Sequence, residues 1–165
     1  MPSRKGWHFF IMKDCKICSF FGHRKMEITD QLYESAYSEI VKSIQLGCRT
    51  FYFGGYSDFD DLCYSIVTSI KQKETQLNIE RVYCVAQERY LYKKAGCFNR
   101  EDYDKVVYLI PSFNGWYKSI YFRNCAMIDD SDVVIFCVEN RENSGAYKAF
   151  KYAKKKKDKV IVNIW

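Results

Sequence analysis

The sequence has little proline, little glycine and no long apolar run. Two prolines and eight glycines exclude a Pro- or Gly-rich linker protein. The longest apolar run, Val133–Val138, is far too short to cross a bilayer. A composition of 48% hydrophobic and 28% charged residues argues against disorder. We therefore expect residues 1–165 to form one domain, with residues 1–14 as an N-terminal extension.

A secretory signal is lacking as well. A short apolar stretch at residues 7–12 follows Arg4 and Lys5, but Lys13 and Asp14 come next, where a small-residue cleavage site would stand. We therefore expect a cytoplasmic protein with no membrane partner.

The eight cysteines do not form the pattern of a metal site. Several fall within apolar periodic segments, as Cys63, Cys84 and Cys137 do, and a free cysteine there packs as a small hydrophobe. Cys15 and Cys18 form the only C-x-x-C pair, and a structural zinc site would need a second pair. We expect core packing for the cysteines and neither a metal nor a cofactor. Metal or redox chemistry at the pair is the alternative.

Strand-like and helical segments alternate along the chain. The pattern predicts strands at residues 16–21, 49–53, 80–85, 106–110, 133–138 and 160–164, and helices at 29–46, 59–70, 117–129 and 146–156. Residues 87–104 lack periodicity and are expected to form a polar loop that can hold a short helix. The predicted fold is α/β: one Rossmann-like domain whose mostly parallel sheet of about six strands carries helices on both faces.

The turn after the first strand is the first candidate site, because open parallel sheets bind ligands beyond the carboxyl ends of their strands. Gly22 permits a sharp turn, and Arg24 can hold phosphate oxygens with two hydrogen bonds. His23 can donate or accept a proton near neutral pH. A solvated loop is the alternative.

The second candidate segment follows the second strand. Gly54 and Gly55 allow the backbone to approach a ligand closely. Asp58 and Asp60 stand at a helix start, where acids suit the helix dipole. Ser57 or Asp58 can cap this helix, and capping is the favoured interpretation of Asp58, whereas Asp60 is equally suited to accept ribose hydroxyls.

The third candidate segment begins the last helix at Ser144 and Gly145. Small residues there leave backbone N–H groups free to bind an anion, and Ser144 can also act as the N-cap.

The fourth candidate segment is aromatic. One of its rings could stack on a base, although core packing is the alternative for each. Its members are Phe113, Trp116, Tyr117 and Tyr121.

Positive charge is concentrated near the C-terminus. The net charge is +6, and residues 154–159 contribute five basic and one acidic residue, which leaves +2 for the rest of the chain. The run Lys154–Lys157 stands at the end of an amphipathic helix, where cations suit the dipole, so a solvated helix end is favoured. The rest shows no basic stripe interleaved with aromatic residues. The sequence thus argues against nucleic acid as a partner.

In chain order, these segments resemble the SLOG superfamily, in particular its bacterial and phage branch with a Gly-His-Arg loop after the first strand. The resemblance runs from about residue 16 to the C-terminus. It rests on Phe20-Phe21-Gly22-His23-Arg24, Phe51-Tyr52-Phe53-Gly54-Gly55 leading to Phe59-Asp60, Arg123-Asn124 with Met127-Ile128-Asp129 and Ser131-Asp132, and Ser144-Gly145-Ala146 with Tyr152-Ala153-Lys154-Lys155-Lys156.

The resemblance implies a Rossmann-like fold that binds nucleotides or nucleotide-derived ligands, including ADP-ribose-type signals in antiviral sensing, often as a homo-oligomer. Related proteins include the Lonely-Guy phosphoribohydrolases and the DNA-processing protein that loads recombinase. Carried over by position, the resemblance makes ten residues the candidate pocket: Gly22, His23, Arg24, Gly54, Gly55, Asp60, Arg123, Asn124, Ser144 and Gly145.

Two departures from the family pattern bear on activity. Asn143-Ser144-Gly145 stands where relatives often show Gly-Gly, which changes the approach to a phosphate. Residues 143–150 contain no carboxylate. The resemblance implies that the corresponding stretch of the phosphoribohydrolases carries a Pro-Gly-Gly-x-Gly-Thr-x-x-Glu motif whose Glu serves the chemistry. General acid–base catalysis needs such a group, so binding is expected more than catalysis.

Three functions follow in order of expectation. The first is binding of a nucleotide or nucleotide-derived small molecule, such as an NAD- or ADP-ribose-like ligand or a cyclic nucleotide, as a sensor or sink. The second is hydrolysis of an N-glycosidic or phosphoryl bond, with His23 or Asp60 as acid or base and Glu139 or Glu142 as weaker candidates. The third is nucleic-acid binding.

Overall fold

A computed structural model describes residues 15–87, 100–110 and 115–165, with the side chains of Arg100 and Trp116 left undescribed. The predicted N-terminal extension, most of the aperiodic segment, Cys97 and Phe113 lie outside these residues.

Six strands form one parallel sheet in the order β4-β3-β2-β1-β5-β6. The strands are β1 (Ile17–Gly22), β2 (Thr50–Phe53), β3 (Glu80–Cys84), β4 (Lys105–Val107), β5 (Val133–Cys137) and β6 (Val160–Asn163). The predicted α/β, Rossmann-like fold is confirmed. Strand β4 is shorter than predicted, because its pairing with β3 stops at Val107, opposite the last residue of β3.

In the described part of the chain, four α-helices connect the strands: α1 (Asp30–Gln45), α2 (Asp58–Lys73), α3 (Trp116–Asp130) and α4 (Gly145–Ala153). The hydroxyl of Ser57 accepts the N–H of Asp60 and caps α2. Of the two caps that the sequence predicts, Ser57 is confirmed, and capping by Asp58, the favoured interpretation, is wrong. Asp58 is the first helical residue, and its carboxylate accepts the N–H of Met26 and so ties the turn after β1 to α2.

The helices cover both faces of the sheet, as predicted. On one face α1 and α2 bury Ala36, Ile40 and Val67, and on the other α3 and α4 bury Ile128 and Ala149. All five residues of β5 are buried, which explains the continuous apolar run there.

The cysteines within the described ranges are buried, and none of them is in a disulfide. Burial raises the pKa of Cys48 to about 12, so its thiol stays protonated and unreactive. No group of His, Cys, Asp and Glu side chains in the described part of the chain could hold a metal ion. Nor do residues 15–87, 100–110 and 115–165 contain a helix long and apolar enough to cross a membrane.

The strand order reverses between β1 and β5. From β1 the chain builds outward through β2, β3 and β4, and it then returns to add β5 and β6 on the other side. The loops after β1 and β5 therefore diverge and leave a crevice, which is where ligands bind in open parallel sheets.

Candidate functional site

A cleft of about 630 Å³ opens at this reversal point, beyond the carboxyl ends of β1, β2 and β5. Nine of the ten predicted residues line it: Gly22, His23, Arg24, Gly54, Asp60, Arg123, Asn124, Ser144 and Gly145. Gly55 does not line it. The folding thus brings distant segments to one cavity, while the ligand-binding roles of their residues stay predictions.

His23 joins the turns after β1 and β5. It is buried, and its Nε2 accepts the N–H of Glu139 at 2.9 Å, so its proton lies on Nδ1 and is donated to the Ser144 hydroxyl at 3.1 Å. Burial and the cation of Arg141 lower the pKa of His23. The neutral imidazole is therefore held as a bridge across the cleft.

The N-terminus of α4 presents its backbone to the same cleft. Ser144 caps the helix by accepting the N–H of Tyr147. The N–H groups of Gly145 and Ala146 belong to the first turn, where no acceptor exists within the helix. A Cβ at Gly145 would meet nothing within 4 Å, so the approach to these donors is open. The arrangement suits a phosphate group.

Three cationic side chains stand at the cleft rim, a name used below for Arg24, Lys25 and Arg141. All three are exposed and line the cavity. Lys25 lies 3.6 Å from Asp58, and Arg141 pairs with Glu139. Arg24 makes no ion pair with any described residue, so its guanidinium is available to an anion.

Arg123 is built into the floor of the cleft. Only 3% of it is exposed. Its Nη1 donates to the carbonyl oxygens of Gly54 at 3.0 Å and Cys84 at 2.7 Å, and its Nε donates to Asn124. Arg123 therefore holds the carboxyl ends of β2 and β3 together, a role that the sequence did not suggest.

Asp60 forms the floor of the cleft beside Arg123. The side chain is 6% exposed, and its Oδ2 accepts the N–H of Gly55 at 2.9 Å. Its Oδ1 is buried without a hydrogen-bond partner among the described residues. Burial raises the pKa of Asp60 to about 7, although Arg123 opposes the shift. Near neutral pH the carboxyl group can thus accept or donate a hydrogen bond.

The glycines around the cleft permit close packing. A Cβ at Gly22 would lie 2.3 Å from the Cβ of Phe59, so β1 can approach α2 only with glycine there. Gly55 has a φ of +76°, and a Cβ would lie 2.9 Å from the ring of Tyr83. Both positions thus have a packing reason for glycine, whether or not a ligand binds.

The predicted acids and aromatic residues are divided between the cleft and its surroundings. Glu139 and Glu142 pair with Arg141 and Lys151 and do not line the cavity, whereas His23 and Asp60 do. Tyr117 lines the cleft and is 87% exposed. Tyr121 lies outside the cleft.

Nine lining residues were not among the predicted site residues: Phe20, Phe21, Lys25, Tyr56, Ser57, Ile120, Arg141, Asn143 and Ala146. Two of them carried a usable signal. Lys25 follows Arg24 in the turn after β1, and Arg141 follows β5, so the argument that selected their neighbours applied to them as well.

Similarity to known proteins is found at the level of structure. Neither the protein-family models nor the curated proteins contain a match to the sequence. DNA processing protein A (DprA) from Streptococcus pneumoniae superposes with a TM-score of 0.61 at 14% identity, over 92% of this chain and 50% of that chain. DNA processing protein A from Helicobacter pylori superposes with a TM-score of 0.59 at 16% identity, over 92% of this chain and 66% of that chain. That structure is described as giving insight into the single-stranded DNA binding mode of the protein.

These likenesses support a shared Rossmann-like fold. The chain spans half of the length of the first protein and 66% of the second. They also correct one expectation. The expectation against nucleic acid as a partner is wrong, because a protein of this fold is described as binding single-stranded DNA. The physical reason is that charge along the sequence does not show which basic residues come together in space, and lysines of α3 and α4 line one cavity.

Proposed function

We propose that the protein binds single-stranded nucleic acid and seats a nucleotide unit in the cleft. The observation that carries the proposal is the convergence of the three rim cations and the first-turn N–H groups of α4 on one open cavity. A phosphate placed there would meet charged donors and backbone donors together.

The electrostatics of the lining support an anionic ligand. The one carboxylate among the lining residues is Asp60, which is buried and whose pKa is raised to about 7. The rim of the cavity is therefore cationic. The fold is shared with a protein described as binding single-stranded DNA, and this supports the same class of ligand here. Membership of the SLOG superfamily, which the sequence suggests, belongs to the same proposal.

The test is fluorescence anisotropy with a labelled single-stranded oligothymidylate, at low and high salt. We expect binding that weakens steeply with salt, because phosphate contacts release counterions. The double variant Arg24→Ala/Arg141→Ala should weaken binding at least about tenfold, since a hydrogen bond to a charged group contributes about 1.5–3 kcal/mol.

A matched control is Lys73→Ala/Lys105→Ala, which removes two exposed cations where α2 ends and β4 begins, at the opposite end of the sheet. It should bind as the unchanged protein does. Absence of binding at low salt, or equal affinity of the two double variants, would show that the cleft does not hold the strand.

Binding of a free nucleotide-derived small molecule is the second candidate. The observation that favours it is Oδ1 of Asp60, a buried acceptor without a partner among the described residues, in the floor of a cavity of ligand size. A ribose hydroxyl or a base amino group would satisfy it.

Thermal-shift measurements with NAD, ADP-ribose, nucleoside monophosphates and cyclic nucleotides distinguish the two candidates. Stabilisation by one of these at concentrations where oligothymidylate has no effect would favour the small molecule. Stabilisation by oligothymidylate alone would favour the nucleic acid.

A further inference from the structure

A second cavity of about 700 Å³ lies beside the cleft, between α3 and α4, and is called the α3–α4 groove below. It shares five lining residues with the cleft: Tyr117, Ile120, Asn124, Asn143 and Gly145. The two cavities therefore adjoin, with Asn124 on the wall between them.

The groove is lined by cations and aromatic rings. Lys118 comes from α3, and Lys148, Lys151 and Lys155 come from α4 and the turn that ends it. The last three are spaced three and four residues apart and so lie on one helical face. The groove is not lined by any aspartate or glutamate.

Three of these lysines have no competing ion pair. Lys151 pairs with Glu142 at 2.9 Å. Lys118, Lys148 and Lys155 are exposed and form no salt bridge with any residue of the described ranges. Three like charges around one cavity repel one another, and a polyanion in the groove would relieve that repulsion.

The aromatic residues supply a complementary surface for bases. Tyr117 is 87% exposed at the junction of the two cavities, and Tyr121 is 38% exposed along the groove. Exposed rings beside lysines are the combination that holds single strands without sequence preference, because a base stacks on the ring while the phosphates meet the cations.

We propose that the α3–α4 groove is an extended binding site for single-stranded nucleic acid, along which a strand seated in the cleft continues over Tyr117 toward Lys155. This inference rests on the proposed function of the cleft and adds a direction and a second set of contacts. Lysines spread over two helices thereby act as one surface.

The experiment compares a thymidine dinucleotide, which the cleft can hold alone, with a long oligothymidylate, by anisotropy over a range of salt. The triple variant Lys118→Ala/Lys148→Ala/Lys155→Ala should weaken binding of the long strand at least about tenfold and lower the slope of log affinity against log salt by about 2. Its affinity for the dinucleotide should stay unchanged. Tyr117→Ala should weaken binding of the long strand about fivefold to a hundredfold.

The matched control is Lys16→Ala/Lys73→Ala/Lys105→Ala, which removes the same charge from exposed lysines near the amino ends of the strands. All these lysines are at the surface, so thermal melting should show every variant folded. The control should keep the long-strand affinity and most of the salt slope.

Several results would overturn the inference, and they differ from failure of the proposed function. If the long strand binds and depends on Arg24 and Arg141, but the groove variant equals the control, the cleft binds without the groove. Equal binding of duplex DNA or polyglutamate would make the groove a general polyanion surface. If no oligonucleotide binds at all, both proposals fail.

Discussion

The floor and the rim of the cleft use similar residue types in opposite ways. The floor, formed by Asp60 and Arg123 with the bridging His23, is buried. Most of its polar atoms form hydrogen bonds within the protein. The rim, formed by Arg24, Lys25 and Arg141, is exposed. Arg123 and Arg24 thus line one cavity, yet one ties two strands together and the other faces solvent.

The difference teaches that lining a cavity and serving its ligand are separate properties. Buried donors cannot move to a ligand without leaving backbone carbonyl groups unpaired, so the floor supplies shape and a fixed field. Exposed cations can rearrange at little cost, so the rim supplies affinity and salt dependence. Stability should therefore depend on the floor, and anion binding should depend on the rim.

The largest expected effect is that of Arg123→Ala. The substitution leaves the carbonyl oxygens of Gly54 and Cys84 without their donor and removes the cation beside the buried Asp60. Breaking such a buried charged network costs about 3–5 kcal/mol of unfolding free energy. Urea denaturation measures the change. A loss below about 1 kcal/mol would mean that the floor is not the rigid part of the cleft.

The next effect is that of Gly22→Ala. The new methyl group would lie 2.3 Å from the Cβ of Phe59, which cannot rotate away, so β1 and α2 must separate. Overpacking of this kind costs about 1–3 kcal/mol. Gly145→Ala is the matched control, because its Cβ meets nothing within 4 Å and should change stability by less than about 0.5 kcal/mol. Equal effects of the two substitutions would contradict the close packing of β1 against α2 at Gly22.

The difference between floor and rim also marks how much the sequence could predict. Apolar periodicity located all six strands of the described residues, and the turns after strands located seven of the nine predicted lining residues, because both signals are local. Arg123 and Asn124 came from the family resemblance alone. The bonds of Arg123 were hidden, since its acceptors Gly54 and Cys84 are 69 and 39 residues away. The α3–α4 groove was hidden for the same reason: Lys118 and Lys148 belong to different helices, and only the fold places them around one cavity.

A third effect, which depends on pH, is expected from Asp60. Its pKa is raised from 3.8 to about 7 in the folded protein, mainly by burial. Between these values the folded state binds the proton more tightly than the unfolded state, so the contribution of Asp60 to stability is full below about pH 4 and falls as pH rises to about 7. The slope is at most about 1.4 kcal/mol per pH unit.

Asp60→Asn removes this titration while keeping the shape of the side chain. Because other carboxyl groups titrate too, the quantity to measure is the difference in unfolding free energy between the unchanged protein and the variant from pH 4 to pH 7. The unchanged protein should lose unfolding free energy relative to the variant as pH rises. A difference independent of pH would show that Asp60 is ionised in the folded state throughout this range, as an exposed carboxyl group would be.

The smallest effect on stability is expected from Arg24→Ala, the counterpart of Arg123→Ala at the rim. Arg24 is exposed and its side chain makes no ion pair with a described residue, so unfolding in urea should change by less than about 0.5 kcal/mol. The same variant should lose about tenfold or more of its affinity for single-stranded oligothymidylate, because a charged phosphate contact is removed. The two arginine substitutions would then have different effects: Arg123→Ala would lower stability, and Arg24→Ala would lower affinity. If Arg24→Ala lost as much stability as Arg123→Ala, Arg24 would belong to the floor instead. The rim would then consist of Lys25 and Arg141 alone.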